Sequence, residues 1–223
     1  MTSIHPNAVC AHLIKHYEYR EDALSYMLQM QNSLQEFVGK KRGNKFPKSE
    51  MTDFERAKEA IYFWGAATTE WYELLDAQEN YKKKLSESHC LAQITDAKRE
   101  MQYEYIDIWH FLMNVFLYTG IDETEIKLGD FEVDYLKSIE EYWAELSYWI
   151  GRYINALPYK HWKTYKDYHI DDTELALCFE NAVAVFVKLG AVLDVDKCLF
   201  FDLYCSKNEE NIKRQEEVSK GYV

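Results

Sequence analysis

The stretch REMQYEYIDIWHFLMNVFLYTG, residues 99–120, constrains this chain more than any other. It is apolar or aromatic almost throughout, yet it carries Glu104, Asp107 and His110 one turn apart. A helix that is apolar all round belongs in a core. A carboxylate in a core is costly unless it is paired, hydrogen-bonded or bound to a metal. Any fold must therefore bury this helix and also supply partners for its acids.

At about 100° per residue, Glu100, Glu104, Asp107, His110 and Asn114 share one stripe of the helical wheel. Met101, Tyr105, Ile106, Ile108, Trp109, Leu112 and Met113 cover much of the rest. The stripe faces either a cleft or solvent. No Lys or Arg is placed within it for i,i+4 pairing, which a solvated charge row usually has.

A second helix reads AIYFWGAATTEWYELLDAQ, with Ile61, Trp64, Ala67, Trp71, Leu74 and Leu75 on its apolar face. Glu70 lies at the edge of that face and Glu73 one turn on. Glu70/Glu73 and Glu104/Asp107 are thus two i,i+3 pairs, and each pair shares one side of its helix. Two such helices packed antiparallel present four oxygen ligands across a gap. That donor set suits Mg²⁺, with Mn²⁺ as the other option, and substrate phosphates usually complete the shell. A di-iron bundle would need a second carboxylate-x-x-His motif beside Asp107/His110, and none is present. His110 therefore reads as a hydrogen-bonding residue rather than a ligand.

The chain has 223 residues, of which 48% are hydrophobic, with only 8 Gly and 3 Pro. This composition points to a single all-α domain spanning 1–223 rather than a turn-rich β fold. The spacing predicts a bundle of about six helices, over roughly 21–38, 52–80, 96–119, 134–157, 171–190 and 194–217. Thr52 and Glu55 form a capping-box pattern at the second, Gly120 ends the third, Pro158 stops the fourth, and DDTE can cap the fifth. The stripe Trp143, Leu146, Ile150, Tyr153, Ile154 in the fourth helix is either monomer core or dimer interface. The basic, aromatic segment YKHWKTYKDYH that follows reads as surface.

A net charge of −12 argues against a nucleic-acid polymer or a membrane as partner, since both need basic surface. No apolar run reaches membrane-spanning length without a charge, residues 105–118 coming closest. Five cysteines, Cys10, Cys90, Cys178, Cys198 and Cys205, form no CxxC pair. With no export signal at the N-terminus, they read as reduced thiols of a cytoplasmic protein.

The last twenty residues, YCSKNEENIKRQEEVSKGYV, place Lys207, Asn208, Asn211, Arg214 and Gln215 on one helical face. Such a face suits phosphate oxygens, with Arg as a fork and Lys as a point charge. It equally describes a solvated tail balanced by Glu209, Glu210, Glu216 and Glu217.

Glu70-x-x-Glu73 followed by Glu104-x-x-Asp107 resembles the ExxE…ExxD signature of the all-α nucleoside triphosphate pyrophosphatases. DIWHF at 107–111, KNEENIKRQ at 207–215, GY at 221–222 and LQMQNSLQ at 28–35 resemble the dimeric dUTPase branch, found in kinetoplastids, some bacteria and their phages. The resemblance implies hydrolysis of dUTP, and of dUDP, to dUMP by a homodimer, in the host cytoplasm if the source is viral. It implies Mg²⁺ on Glu70, Glu73, Glu104 and Asp107, and water attack on the α-phosphorus. Of the catalytic pair Glu70 and Glu73, Glu70 is favoured to orient or deprotonate that water. It implies that Lys207, Asn208, Asn211 and Arg214 grip phosphates, that Tyr222 belongs to the GY motif and that Gln31 helps read uracil. The chain departs from the pattern in three places. Gln35 replaces an Asn near the base, Tyr81 stands in for a Trp in NYKKK (where Lys82 can reach phosphates), and the gap between RQ and GY is longer. These departures leave a dCTP or other dNTP pyrophosphatase as an alternative. A non-catalytic helical interaction protein on the same scaffold is the alternative from another class.

Overall fold

A computed structural model describes residues 14–42, 51–121, 124, 126–129, 137–157 and 172–217. Six helices carry them: α1 Ala23–Arg42, α2 Asp53–Glu87, α3 Leu91–Tyr118, α4 Ile139–Asn155, α5 Asp172–Val192 and α6 Lys197–Glu216. No strand occurs among the described residues. The all-α bundle is as the periodicity predicts. The segment 159–169, Pro158, Asp171 and the GY motif with Tyr222 lie outside the described residues.

Several helix ends differ from expectation. α2 runs on to Glu87 instead of stopping near Asn80, so NYKKK is helical. Its residues are good helix formers with no Gly or Pro to stop them. α3 begins at Leu91 rather than Asp96, after a connection of only three residues, 88–90. α4 begins at Ile139 rather than Asp134, because Ser138 is its cap. The Glu141 amide donates to Ser138 Oγ at 3.3 Å, and the Ser138 amide donates to Glu141 at 2.7 Å. The expected box of Thr52 and Glu55 is formed in the same way. Gly120, at φ +103°, closes α3: its amide donates to Leu117 and the Ile121 amide to Phe116, the double bond of a Schellman end.

α2 and α3 form a long antiparallel hairpin. Phe63 stacks on Phe111 and Tyr118, with centroids at 6.2 and 5.4 Å, while Glu70 lies beside Glu104 and Asp107. α3 is the core helix that its composition demands, with Tyr105, Ile106, Ile108, Trp109, Leu112 and Met113 fully buried. α4 and α5 make a second pair, clasped by Arg152, which donates two 2.8 Å bonds to the Glu174 carboxylate. Trp143 joins this pair to α2, sandwiched between Trp64 and Trp71 at 5.4 and 4.5 Å. Leu146, Ile150 and Tyr153 are buried in the same chain, so the α4 stripe is monomer core.

α6 lies against α1 and α3, and residues 14–20 run along its outer face. Asp202 accepts from the Tyr17 amide and pairs with His16 Nδ1, both at 2.8 Å, and Glu209 accepts from the Tyr17 hydroxyl at 2.7 Å. This strap leaves the opposite face of α6, bearing Tyr204, Lys207 and Asn208, turned inward. The α5–α6 turn is held by α3, since Gln102 Nε2 donates to the Leu193 and Asp194 carbonyls. Among the described residues one helix, Thr173–Val192 of α5, is long and apolar enough to span a membrane by composition, and it is mostly buried in this bundle. The four described cysteines are free thiols.

One contact fixes how closely α3 and α5 approach. Tyr105 donates its hydroxyl to the Phe186 carbonyl at 2.9 Å, and its ring lies over the Gly190 backbone. A Cβ at position 190 would sit 2.8 Å from Tyr105 Cζ and closer still to the hydroxyl oxygen. Gly190→Ala is therefore expected to destabilise the protein by about 1–3 kcal/mol. A urea melt checks this. Adding Tyr105→Phe to the Gly190→Ala variant should recover part of the loss, since it removes the oxygen nearest the new methyl.

Candidate functional site

The acids predicted from two i,i+3 pairs meet where α2 crosses α3. One oxygen each from Glu70, Glu104 and Asp107 lies within 4.8 Å of the other two. Glu104 is buried at 7% exposure, Glu70 and Asp107 are half-buried, and Glu73 is exposed at the rim. Glu73 is outside the triad, yet its charge still reaches both buried glutamates.

Burial and crowding hold protons on the Glu70 and Glu104 carboxyls. Desolvation first, then the charges of Asp107 and Glu73, push Glu70 up to about 7. Desolvation, then Asp107, push Glu104 up to about 8, and Lys207 opposes both shifts. A cation placed among three such oxygens relieves the repulsion and replaces the lost water. The all-oxygen donor set, half open to solvent, therefore fits a divalent ion such as Mg²⁺ or Mn²⁺.

α6 supplies the one positive group that enters the cluster among the described residues. Lys207 is 4% exposed, and its Nζ donates to Asp107 Oδ2 at 2.7 Å. The Tyr103 ring lies beneath the ammonium at 5.6 Å. The pairing with Asp107 raises the Lys207 pKa although burial works the other way. Arg214, two turns along α6, is paired with Glu210 and lies close enough for its charge to reach Lys207.

The other half of the α3 stripe goes into a buried polar network. Gln31 of α1 donates to Asn114 Oδ1 at 2.9 Å, and its Oε1 accepts from His110 Nδ1 at 2.8 Å. The Tyr204 hydroxyl lies 2.9 Å from the Met27 carbonyl and 3.2 Å from Gln31 Oε1, and it accepts from Asn208 Nδ2 at 3.3 Å. His110 stacks on Tyr204 at 4.6 Å. Burial, aided by Lys207, lowers the His110 pKa to about 3, so the ring is neutral and serves here as a hydrogen-bonding residue.

The structure thus gathers Glu70, Glu104, Asp107 and Lys207 into one cluster, with Glu73 at its edge. It places Gln31 and Asn208 in the adjoining network, and Asn211 and Arg214 further along the same face of α6. It does not bring Lys82 there. That side chain is exposed and bonds Gln78, about 18 Å along the α2 axis from Glu70 at 1.5 Å per residue. Tyr222 lies outside the described residues. Sequence reading missed Tyr204, which joins Met27, Gln31, His110 and Asn208. Its spacing, three and four residues before Lys207 and Asn208, was the available signal.

Residues 23–219 match the family model described as dUTPase. No curated protein and no solved structure matches the chain.

The raised carboxyls make a pH prediction with a definite sign. Glu70 and Glu104 hold protons in the folded, metal-free protein over a range where the unfolded chain has lost them. Folding then binds protons, so stability falls as pH rises from about 4.5 towards about 8. Thermal melts in EDTA should show a lower Tm at pH 8.5 than at pH 6, and Glu104→Gln should flatten that slope.

Proposed function

The chain belongs to the dUTPase family, and from that premise we propose that Glu70, Glu104 and Asp107 hold Mg²⁺ for the hydrolysis of dUTP to dUMP and pyrophosphate. The observation that carries this reading is the convergence of three carboxylate oxygens from α2 and α3 at the foot of Lys207. Such an ion, when bound, neutralises phosphate charge and polarises the α-phosphate for attack.

The remaining chemistry falls to side chains of this chain. Glu70 offers one oxygen to the cluster and keeps the other for the attacking water, which it orients and deprotonates. Glu73, at the solvent rim beside it, supports the same water. Lys207, Asn208, Asn211 and Arg214 line one face of α6, and their donors suit the oxygens of a triphosphate. Gln31 has spent Oε1 and one N–H on its neighbours, and the second N–H remains for a carbonyl oxygen of the base. Set against the 4-position of the base, this donor bonds the uracil carbonyl oxygen but not the cytosine amino group, which favours dUTP over dCTP, and dUDP serves as a second substrate. The family resemblance further assigns substrate contacts to Tyr222 and Lys82.

A homodimer suits this arrangement. Tyr62 and Tyr72 are two-thirds exposed on α2, with Gly65 and Thr69 between them on the same outer face. An enzyme of free nucleotides belongs in the cytoplasm, that of the host if it is viral.

Product analysis tests the proposal. Each dNTP, UTP and dUDP is incubated with Mg²⁺ or EDTA, and the products are resolved. Mg²⁺-dependent dUMP and pyrophosphate are expected from dUTP, with Glu104→Gln folded but nearly inactive. A stronger dCTP lane would favour the cytosine reading, and no product from a folded dimer would favour an interaction protein. Arg214→Ala should raise KM roughly 10- to 100-fold, the scale of one charge-assisted hydrogen bond, with a smaller effect on kcat.

A further inference from the structure

Lys207 has two claims on it. The phosphate role asks its ammonium to face a triphosphate, whereas the structure has it bonded to Asp107 at 2.7 Å inside the acid cluster. It cannot serve both at full strength, since an ammonium is a compact point charge with three donors. A divalent ion on Glu70, Glu104 and Asp107 would also meet this ammonium at contact range, where two cations repel.

We propose that Lys207 is a surrogate cation that occupies the carboxylate cluster before the metal does, and that metal binding transfers it from Asp107 to the phosphates of the incoming nucleotide. The proposal rests on the metal-site reading above and adds an order to it, with metal first and triphosphate second.

Three features carry it. Lys207 is 4% exposed, so its charge needs an internal partner whenever no ligand is present. Its stem rises from α6, while the three acids belong to α2 and α3, so the ammonium and the carboxylates are carried by separate elements. The Tyr103 ring at 5.6 Å gives the cation a second favourable surface along the way. Arg214 shows the same habit one step further out, its guanidinium resting on Glu210 of its own helix. Both bases are thus neutralised within the protein, Lys207 by Asp107 and Arg214 by Glu210.

The test is metal binding without nucleotide or turnover. Mn²⁺ alone is titrated into wild type, Lys207→Met and Lys207→Arg, and free Mn²⁺ is read by electron paramagnetic resonance. A non-hydrolysable dUTP analogue is then titrated in saturating Mn²⁺. With the surrogate removed, Lys207→Met should bind Mn²⁺ at least about fivefold more tightly than wild type and the analogue at least about fivefold more weakly, a typical coupling range. Lys207→Arg should keep near wild-type Mn²⁺ affinity. A Lys207→Met protein with wild-type Mn²⁺ affinity would overturn the exchange and leave the metal site standing. No Mn²⁺ binding by wild type would overturn the metal site and the exchange together. Should Lys207→Met fail to fold, the ammonium resonance of Lys207 in the wild-type protein gives the same answer. It should shift and broaden on adding Mg²⁺, and an unchanged signal at saturating Mg²⁺ would refute the transfer.

Discussion

A buried ammonium balances carboxylates that would otherwise repel one another. Oxygens of Glu70, Glu104 and Asp107 lie within 4.8 Å of each other, where two full charges repel by at least roughly 3 kcal/mol at an effective dielectric of about 20. The fold meets this load in two ways. Protons stay on Glu70 and Glu104 towards neutral pH, and Lys207 sits on Asp107. Both provisions are reversible, which is what a metal site needs, because ligands must lose protons and competing cations when the ion arrives.

The rest of the bundle keeps these groups in place. α3 presents Glu104 and Asp107 from a helix whose central turns are fully buried, and α2 brings Glu70 by pairing antiparallel with it. α6 brings Lys207 and is pressed inward by the strap of residues 14–20, whose contacts on Asp202 and Glu209 occupy its outer face. Below the cluster, Gln31, His110, Asn114, Tyr204 and Asn208 tie α1, α3 and α6 together through side-chain hydrogen bonds. A network whose members are nearly all engaged holds its geometry closely, and here it adjoins the acid cluster and the α6 face that carries Lys207.

Much of this was legible in the sequence. The narrow acidic stripe on a greasy helix required partners, and the i,i+3 pairs named three of the four residues that meet, with Glu73 left at the rim. Six helices followed from periodicity. What periodicity could not supply was pairing across distance. Lys207 and Asp107 are 100 residues apart, and Gln31 and Asn114 are 83 apart. Nothing local to either residue announces the other. Helix ends were misplaced where local propensity and tertiary support ran on past a plausible stop, as at NYKKK. The α4 stripe is ambiguous in sequence because one apolar face serves a core or an interface equally well; the stacking of Trp143 on Trp64 and Trp71 makes it core.

As a metal centre, the carboxylates of α2 and α3 must bind one divalent ion between them. Crystals grown with Mn²⁺ and a non-hydrolysable dUTP analogue, measured at the manganese edge, test it most directly. An anomalous peak bounded by Glu70, Glu104 and Asp107 is expected, with the analogue's phosphates above it. Well-ordered crystals with bound analogue and no peak between those three side chains would contradict it.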